Sequence, residues 1–164
     1  MNVAYLLIGG NLGNRFSYLK KAAEYIEQFC GKIITSSSIY ETAAWGITEQ
    51  PAFLNQVIAL ETGLLPNQLM QKLLWIEQKM GRIRNEKFGP RIIDIDILLI
   101  DDIIINTELI TVPHQALPNR KFALIPLDEI ASTFIHPVEK KSIHQLLLDC
   151  ADNLNVQKIS MPAD

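Results

Sequence analysis

Asp94 and Asp96 are the residues whose types and spacing speak most directly of chemistry. They interrupt the apolar run Ile92-Ile93-Asp94-Ile95-Asp96-Ile97-Leu98-Leu99-Ile100, which otherwise reads as a buried strand. Strand side chains alternate between faces, so the two carboxylates point the same way, roughly 7 Å apart along the backbone. Ile93, Ile95, Ile97 and Leu99 are expected to share the opposite face and anchor it in a core. Two like charges this close in a partly apolar setting repel unless a proton or a cation is shared. A divalent cation held by carboxylates together with phosphate oxygens relieves that repulsion. A strand whose acidic face is simply wet is the other reading.

The flanking residues favour the cation. Gly81-Arg82-Ile83-Arg84-Asn85-Glu86-Lys87-Phe88-Gly89-Pro90-Arg91 holds three arginines, one lysine and two glycines. Pro90 biases Gly89 toward extended geometry and breaks any helix. Arginines beside a carboxylate pair suggest a phosphate chain, its oxygens clamped by guanidinium and bridged by metal.

The elements that must position these groups follow from periodicity. Val3 to Gly9 reads as a buried strand, and Arg15 to Phe29 as a helix with Phe16, Leu19, Ala22, Ala23, Ile26 and Phe29 on one stripe. Lys32 to Tyr40 and Phe53 to Glu61 read as strands, with a loop from Glu41 to Pro51 between them. Pro66 opens a second helix running to about Met80. The order strand-helix-strand-strand-helix-strand predicts an α+β, ferredoxin-like antiparallel sheet with helices packed around it. Ile103 to Ile105 is expected as a short strand, and Asn119 to Ala131 and Ser142 to Ala151 as shorter helices. A single domain over residues 1–164 is expected, with a disordered tail from about residue 155.

Composition bounds the function. Of 164 residues, 48% are hydrophobic and 20% charged, ordinary values for a globular protein. A net charge of −3 argues against a general nucleic-acid binder. Cys30 and Cys150 lack metal-ligand spacing, so reduced thiols are expected. No apolar run approaches the roughly 20 residues of a membrane helix, and Met1 to Gly10 lacks the basic start of a signal peptide. A cytoplasmic protein that binds neither membrane nor nucleic acid is expected.

Other residues carry two readings each. Gly9-Gly10-Asn11-Leu12-Gly13-Asn14 follows a strand and precedes a helix, but matches no phosphate-loop fingerprint and is expected to be a tight turn. Phe53 and Asn55 share a strand face, where a ring and an amide can stack on a flat heterocycle and read its edge, or simply fill a core. Glu77 interrupts the apolar helical stripe of Leu73, Ile76 and Met80. It needs a partner there, either an arginine of the next loop or a nucleotide. His136 and His144 stand without a constellation.

Lys87-Phe88-Gly89-Pro90-Arg91-Ile92-Ile93-Asp94-Ile95-Asp96-Ile97-Leu98 resembles the signature of the 6-hydroxymethyl-7,8-dihydropterin pyrophosphokinase family of folate biosynthesis. The resemblance runs over nearly the whole chain. It takes in Ile8-Gly9-Gly10-Asn11-Leu12-Gly13, Ser38-Ile39-Tyr40-Glu41-Thr42, Gln50-Pro51-Ala52-Phe53-Leu54-Asn55, Ile76-Glu77, Thr111-Val112-Pro113-His114 and Asn119-Arg120-Lys121-Phe122. It implies transfer of pyrophosphate from ATP to the hydroxymethyl group of the pterin, leaving AMP. Asp94 and Asp96 would hold two Mg²⁺ ions. Arg82 and Arg91 would neutralise developing charge, and Asp96 is the better candidate for taking the hydroxyl proton, if a dedicated base is needed. Phe53 and Phe122 would sandwich the pterin, read by Asn55 with Thr42, Ala43 and Trp45. Glu77, Arg84, Arg91, Ile97, Thr111, His114 and Arg120 would meet the nucleotide. The partners implied are these two small molecules, and a monomer is expected.

Several positions depart from that pattern. Gly10 stands where members usually have serine, Ala43, Ala44 and Trp45 where they have prolines and leucine, Gln115 where they often have tyrosine, and Leu109 in place of a basic residue found in some. Two other classes fit the strand order: a ligand sensor, which does not need the acidic pair together with Arg82 and Arg91, and an RNA-binding sheet, which needs aromatic platforms where Asp94 and Asp96 stand.

Overall fold

The computed structural model describes residues 1–43, 49–82 and 89–162. The expected Trp45 and Arg84 contacts lie outside the described residues. Strand β1 (Asn2–Gly10) leads into helix α1 (Arg15–Phe29), then β2 (Lys32–Ser36), β3 (Ile39–Thr42), β4 (Phe53–Thr62), helix α2 (Pro66–Lys79) and β5 (Asp94–Ile100). Beyond these lie β6 (Ile105–Asn106), β7 (Thr111–Val112), helices α3 (Lys121–Ala131) and α4 (Ile143–Asp149), and β8 (Val156–Ile159). The main sheet runs β5-β1-β4-β3-β8, with β2 also on β4, and every pairing is antiparallel. This is the ferredoxin-like order expected from the sequence.

Alternation along the strands divides the interior in two. Ala4, Leu6, Ile8, Leu54, Ile58 and Leu60 face α1 and α2, where Leu19, Ala22, Ile26, Leu69, Leu73 and Ile76 meet them. Leu7 and Val57 face the other way, onto Leu117 and the α3–α4 pair through Ala123, Leu124, Leu127, Ile143 and Leu146. α1 begins where Asn14 accepts the Ser17 N–H at 3.1 Å, and the Ser142 hydroxyl caps α4 in the same way.

Four expectations are corrected. Leu99 does not share a face with Ile93, Ile95 and Ile97: Tyr5 pairs with Leu99 and Leu6 with Ile97, so Leu98 is an extra residue in β5. This bulge turns both Leu98 and Leu99 toward α3 and hands the opposite face to Ile100. The strand expected over Lys32 to Tyr40 breaks at Ser37, whose hydroxyl accepts the Val57 N–H at 2.9 Å and replaces a ladder bond. The short strand predicted at Ile103 to Ile105 begins only at Ile105 and pairs with Thr111–Val112. The tail expected to fray from residue 155 instead forms β8, with Val156 opposite Thr42 and Ile159 opposite Ile39.

Candidate active site

Two rows of residues cross the sheet at its α3-facing end. Gly9 lies between Asn55 on β4 and Asp94 on β5, and Leu7 lies between Val57 and Asp96. A Cβ on Gly9 would stand 2.2 Å from Asn55 Oδ1, and one on Gly10 would stand 2.3 Å from the Ile92 carbonyl. Of the turn expected over Gly9 to Asn14, the bend falls at residues 12–14, with Gly13 at φ 67°, while Gly9 and Gly10 belong to β1 and serve close approach, leaving an open floor between amide and carboxylate.

Asp94 and Asp96 share a face as expected, but their electrostatics differ sharply. Arg82 Nη1 donates to Asp94 Oδ1 at 2.5 Å, and Arg91 Nη1 donates to its Oδ2 at 3.0 Å. Burial alone would raise the Asp94 pKa, but the two guanidiniums overcome it and hold the carboxyl below its ordinary value. Asp96 is pushed up to about 8, first by burial and then by the charges of Asp94 and Glu77. The pair thus carries negative charge that its own arginines only partly relieve. Among the described residues no cluster of three His, Cys, Asp or Glu side chains could enclose a metal. Two carboxylates, one left with repulsion to discharge, fit a Mg²⁺ that takes its remaining oxygens from water and phosphate.

Above Gly9 an open cleft is lined by Thr42, Phe53, Asn55, Arg91, Asp94, Asp96, Arg120 and Phe122, among others. Arg91 stands 5.0 Å from the Phe53 ring centre and Arg120 stands 5.6 Å from that of Phe122. Thr42 is 2% exposed, and its Oγ1 has no hydrogen-bond partner among the described residues. A buried hydroxyl in that state costs about 1–3 kcal/mol, which a ligand atom can recover.

Asp96 also lines a second cavity, with Met70, Ile97, Leu109, Ile110, Thr111, His114 and Gln115. Ile97, Thr111 and His114 were expected together, and the departures Leu109 and Gln115 lie beside them. His114 Nδ1 accepts the Ala116 N–H at 3.1 Å. Burial and then the Arg120 charge lower its pKa, favouring the neutral ring. Arg120, expected at the nucleotide, lines the first cavity. Glu77 lines neither: it is 2% exposed, accepts the Ile95 N–H at 2.7 Å and stands 3.2 Å from Arg82. That is the ion-pair alternative.

Sequence reasoning missed Asn11 and Asp152. Asn11, 2% exposed, bonds both to Arg91 and to the segment Gln50-Pro51. Its polar side chain directly after an apolar strand was the available signal. Asp152 Oδ2 accepts the Lys121 N–H at 3.0 Å, capping the helix that carries Phe122. Nothing local in the sequence marks that contact, which spans thirty-one positions.

An acidic strand flanked by arginines, set between two cavities on a ferredoxin-like sheet, defines an enzyme that handles phosphate. Residues 5–132 match the model of the 7,8-dihydro-6-hydroxymethylpterin-pyrophosphokinase (HPPK) family. A 2-amino-4-hydroxy-6-hydroxymethyldihydropteridine pyrophosphokinase of Aquifex aeolicus is 44% identical over 145 residues, 88% of this chain and 90% of that protein. One from Haemophilus influenzae is 37% identical, covering 93% and 96%. The solved structure of Plasmodium falciparum HPPK-DHPS superposes with a TM-score of 0.71 over 91% of this chain at 18% identity, which bears on the fold alone. The chain spans 43% of that protein's length. The chain belongs to the HPPK family.

Proposed function

We propose that the two cavities divide the substrates of one reaction, with Asp96 at their junction. The chain is a pyrophosphokinase of folate synthesis, transferring pyrophosphate from ATP to the hydroxymethyldihydropterin. In this reading the pterin enters the first cleft, its ring between Phe53 and Phe122. Asn55 and Thr42 bond its edge, and Ala43 closes the wall. ATP takes the second cavity, with adenine near Ile97 and Thr111 and phosphates toward His114, Arg91 and Arg120. The observation that carries this assignment is that Asp96 lines both cavities. Groups bound on either side would meet there.

The substrate hydroxyl attacks the β-phosphorus, the bond from that phosphorus to the AMP oxygen breaks, and the proton moves to Asp96. Two Mg²⁺ ions, held by Asp94 and Asp96, would supply charge neutralisation along the triphosphate. Arg82 and Arg91 are held against Asp94 and share that task on the transferred group. Glu77 keeps Arg82 in place. The proposal includes a monomer. It also includes cytoplasmic residence, in keeping with the free thiols of Cys30 and Cys150. No helix among the described residues is long and apolar enough to cross a membrane.

The test is to incubate the protein with MgATP and the pterin alcohol and to separate the nucleotides. AMP formed in step with a pterin diphosphate supports the reading; ADP overturns it. Arg82→Ala should lower turnover far more than ATP affinity, and an equal loss in both would make Arg82 a binding residue.

A further inference from the structure

Asn11 spends its backbone N–H and both polar atoms of its side chain on two segments that are far apart in sequence. Its backbone N–H donates to the Arg91 carbonyl at 2.9 Å, and its Oδ1 accepts the Arg91 N–H at 2.9 Å. Arg91 is thereby gripped through both of its backbone polar groups. On the other side, Asn11 Nδ2 donates to Gln50 Oε1 at 2.8 Å and to the Pro51 carbonyl at 2.9 Å. Two residues beyond Pro51, β4 begins with Phe53, the ring against which the Arg91 guanidinium lies. Arg15 fastens the same segment from α1, donating to the Ala52 carbonyl at 3.0 Å and to Glu41 at 2.8 Å. The Arg91 guanidinium is in turn fixed by the Gly89 carbonyl and Asp94.

We propose that Asn11 is a positioning residue whose single buried carboxamide sets the distance between Arg91 and the Phe53 wall. The inference rests on the assignment of Phe53 to the pterin and of Arg91 to the phosphates. Its two halves separate chemically. An amide both donates and accepts, whereas a carboxylate of the same shape only accepts. Asn11→Asp therefore keeps the bond from Arg91 N–H and loses the donor toward Pro51. Gln50 can turn its own amide to compensate; the Pro51 carbonyl cannot become a donor. Asn11→Ala loses both sides.

The experiment measures kcat and both KM values for the two variants, with pterin affinity taken separately by calorimetry in the presence of Mg²⁺ and a non-hydrolysable ATP analogue. For Asn11→Asp, pterin KM and dissociation constant should rise about tenfold, the worth of one or two hydrogen bonds, with kcat within about twofold of the parent. Asn11→Ala should show the same pterin defect and a further fall in kcat of about tenfold, while KM for ATP rises less than KM for the pterin. Should Asn11→Ala fail to fold, the isosteric Asn11→Asp alone decides through its split between KM and kcat. Variants that melt earlier but keep all kinetic constants would overturn the proposal, as would kcat and both KM values moving together. Phe53→Ala serves as the control for the underlying assignment. If it leaves pterin affinity untouched, the site reading fails; if it weakens pterin binding while Asn11→Asp does not, only the role of Asn11 fails.

Discussion

The carboxylate of Glu77 accepts the backbone N–H of Ile95 at 2.7 Å, at the point on β5 midway between the two aspartates. β5 is an edge of the sheet, so α2 supplies through a side chain the acceptor that a further strand would have provided. The same oxygen stands 3.2 Å from Arg82, so one buried group steadies both the acidic strand and its arginine.

Glu77→Ala strands the Ile95 N–H and removes a charge partner from Arg82. It should lower unfolding free energy by about 3 kcal/mol, read from a urea titration. Glu77→Gln keeps an acceptor and should cost less than half as much. It should also lower the Asp96 pKa, because the Glu77 charge is one of the influences holding that pKa up. A carboxyl-detected NMR titration in which Asp96 does not move would contradict the electrostatic account.

Thr42 separates stability from binding. Its hydroxyl is buried without a partner among the described residues, so Thr42→Val removes a desolvated group at nearly constant volume. The free protein should melt no earlier than the parent, while pterin affinity should fall about tenfold. Calorimetry of binding beside thermal unfolding checks the opposite signs.

The pH dependence of the free protein follows from the aspartates. The Asp96 pKa in the folded chain, about 8, lies above its unfolded value. Its contribution to stability is complete below about pH 4 and is lost as pH rises through about 8. Asp94 is shifted the other way, so its contribution is present above about pH 4 and is lost on acidification. Asp96→Asn should therefore raise the melting temperature by several degrees at pH 9 and much less at pH 4, while abolishing turnover. A gain independent of pH would mean that Asp96 is not the titrating group.

Gly9→Ala should lower stability and injure the pterin site. The added methyl would stand 2.2 Å from Asn55 Oδ1, the nearest atom, and 2.7 Å from the Leu54 carbonyl. Pterin KM should rise more than ATP KM, and an equal rise in the two would place the damage elsewhere.

Much of this was legible in the chain. The period-two alternation of Asp94, Ile95, Asp96 and Ile97, and the helical stripes around Leu19 and Leu73, fixed the strand order and the shared face of the carboxylates. The bulge at Leu98 was not, because an inserted residue leaves an apolar run looking unbroken. The role of β8 was hidden by its composition: only two of its four residues are apolar, and its stability comes from pairing with Ile39–Thr42. Asn11 and Asp152 act across long sequence separations, which no local window records. Glu77 carried two meanings in the sequence, and only the position of Ile95 distinguishes them.

The bulge at Leu98 also has an evolutionary consequence. On its N-terminal side the strand is in phase with the reaction; on its C-terminal side it is in phase with the α3 layer. A lineage that deleted one residue there would keep its composition and its apolar run. It would have to give up either the outlook of both acids or the seating of Leu99, and selection on length at this point should be stricter than selection on which aliphatic residue fills it.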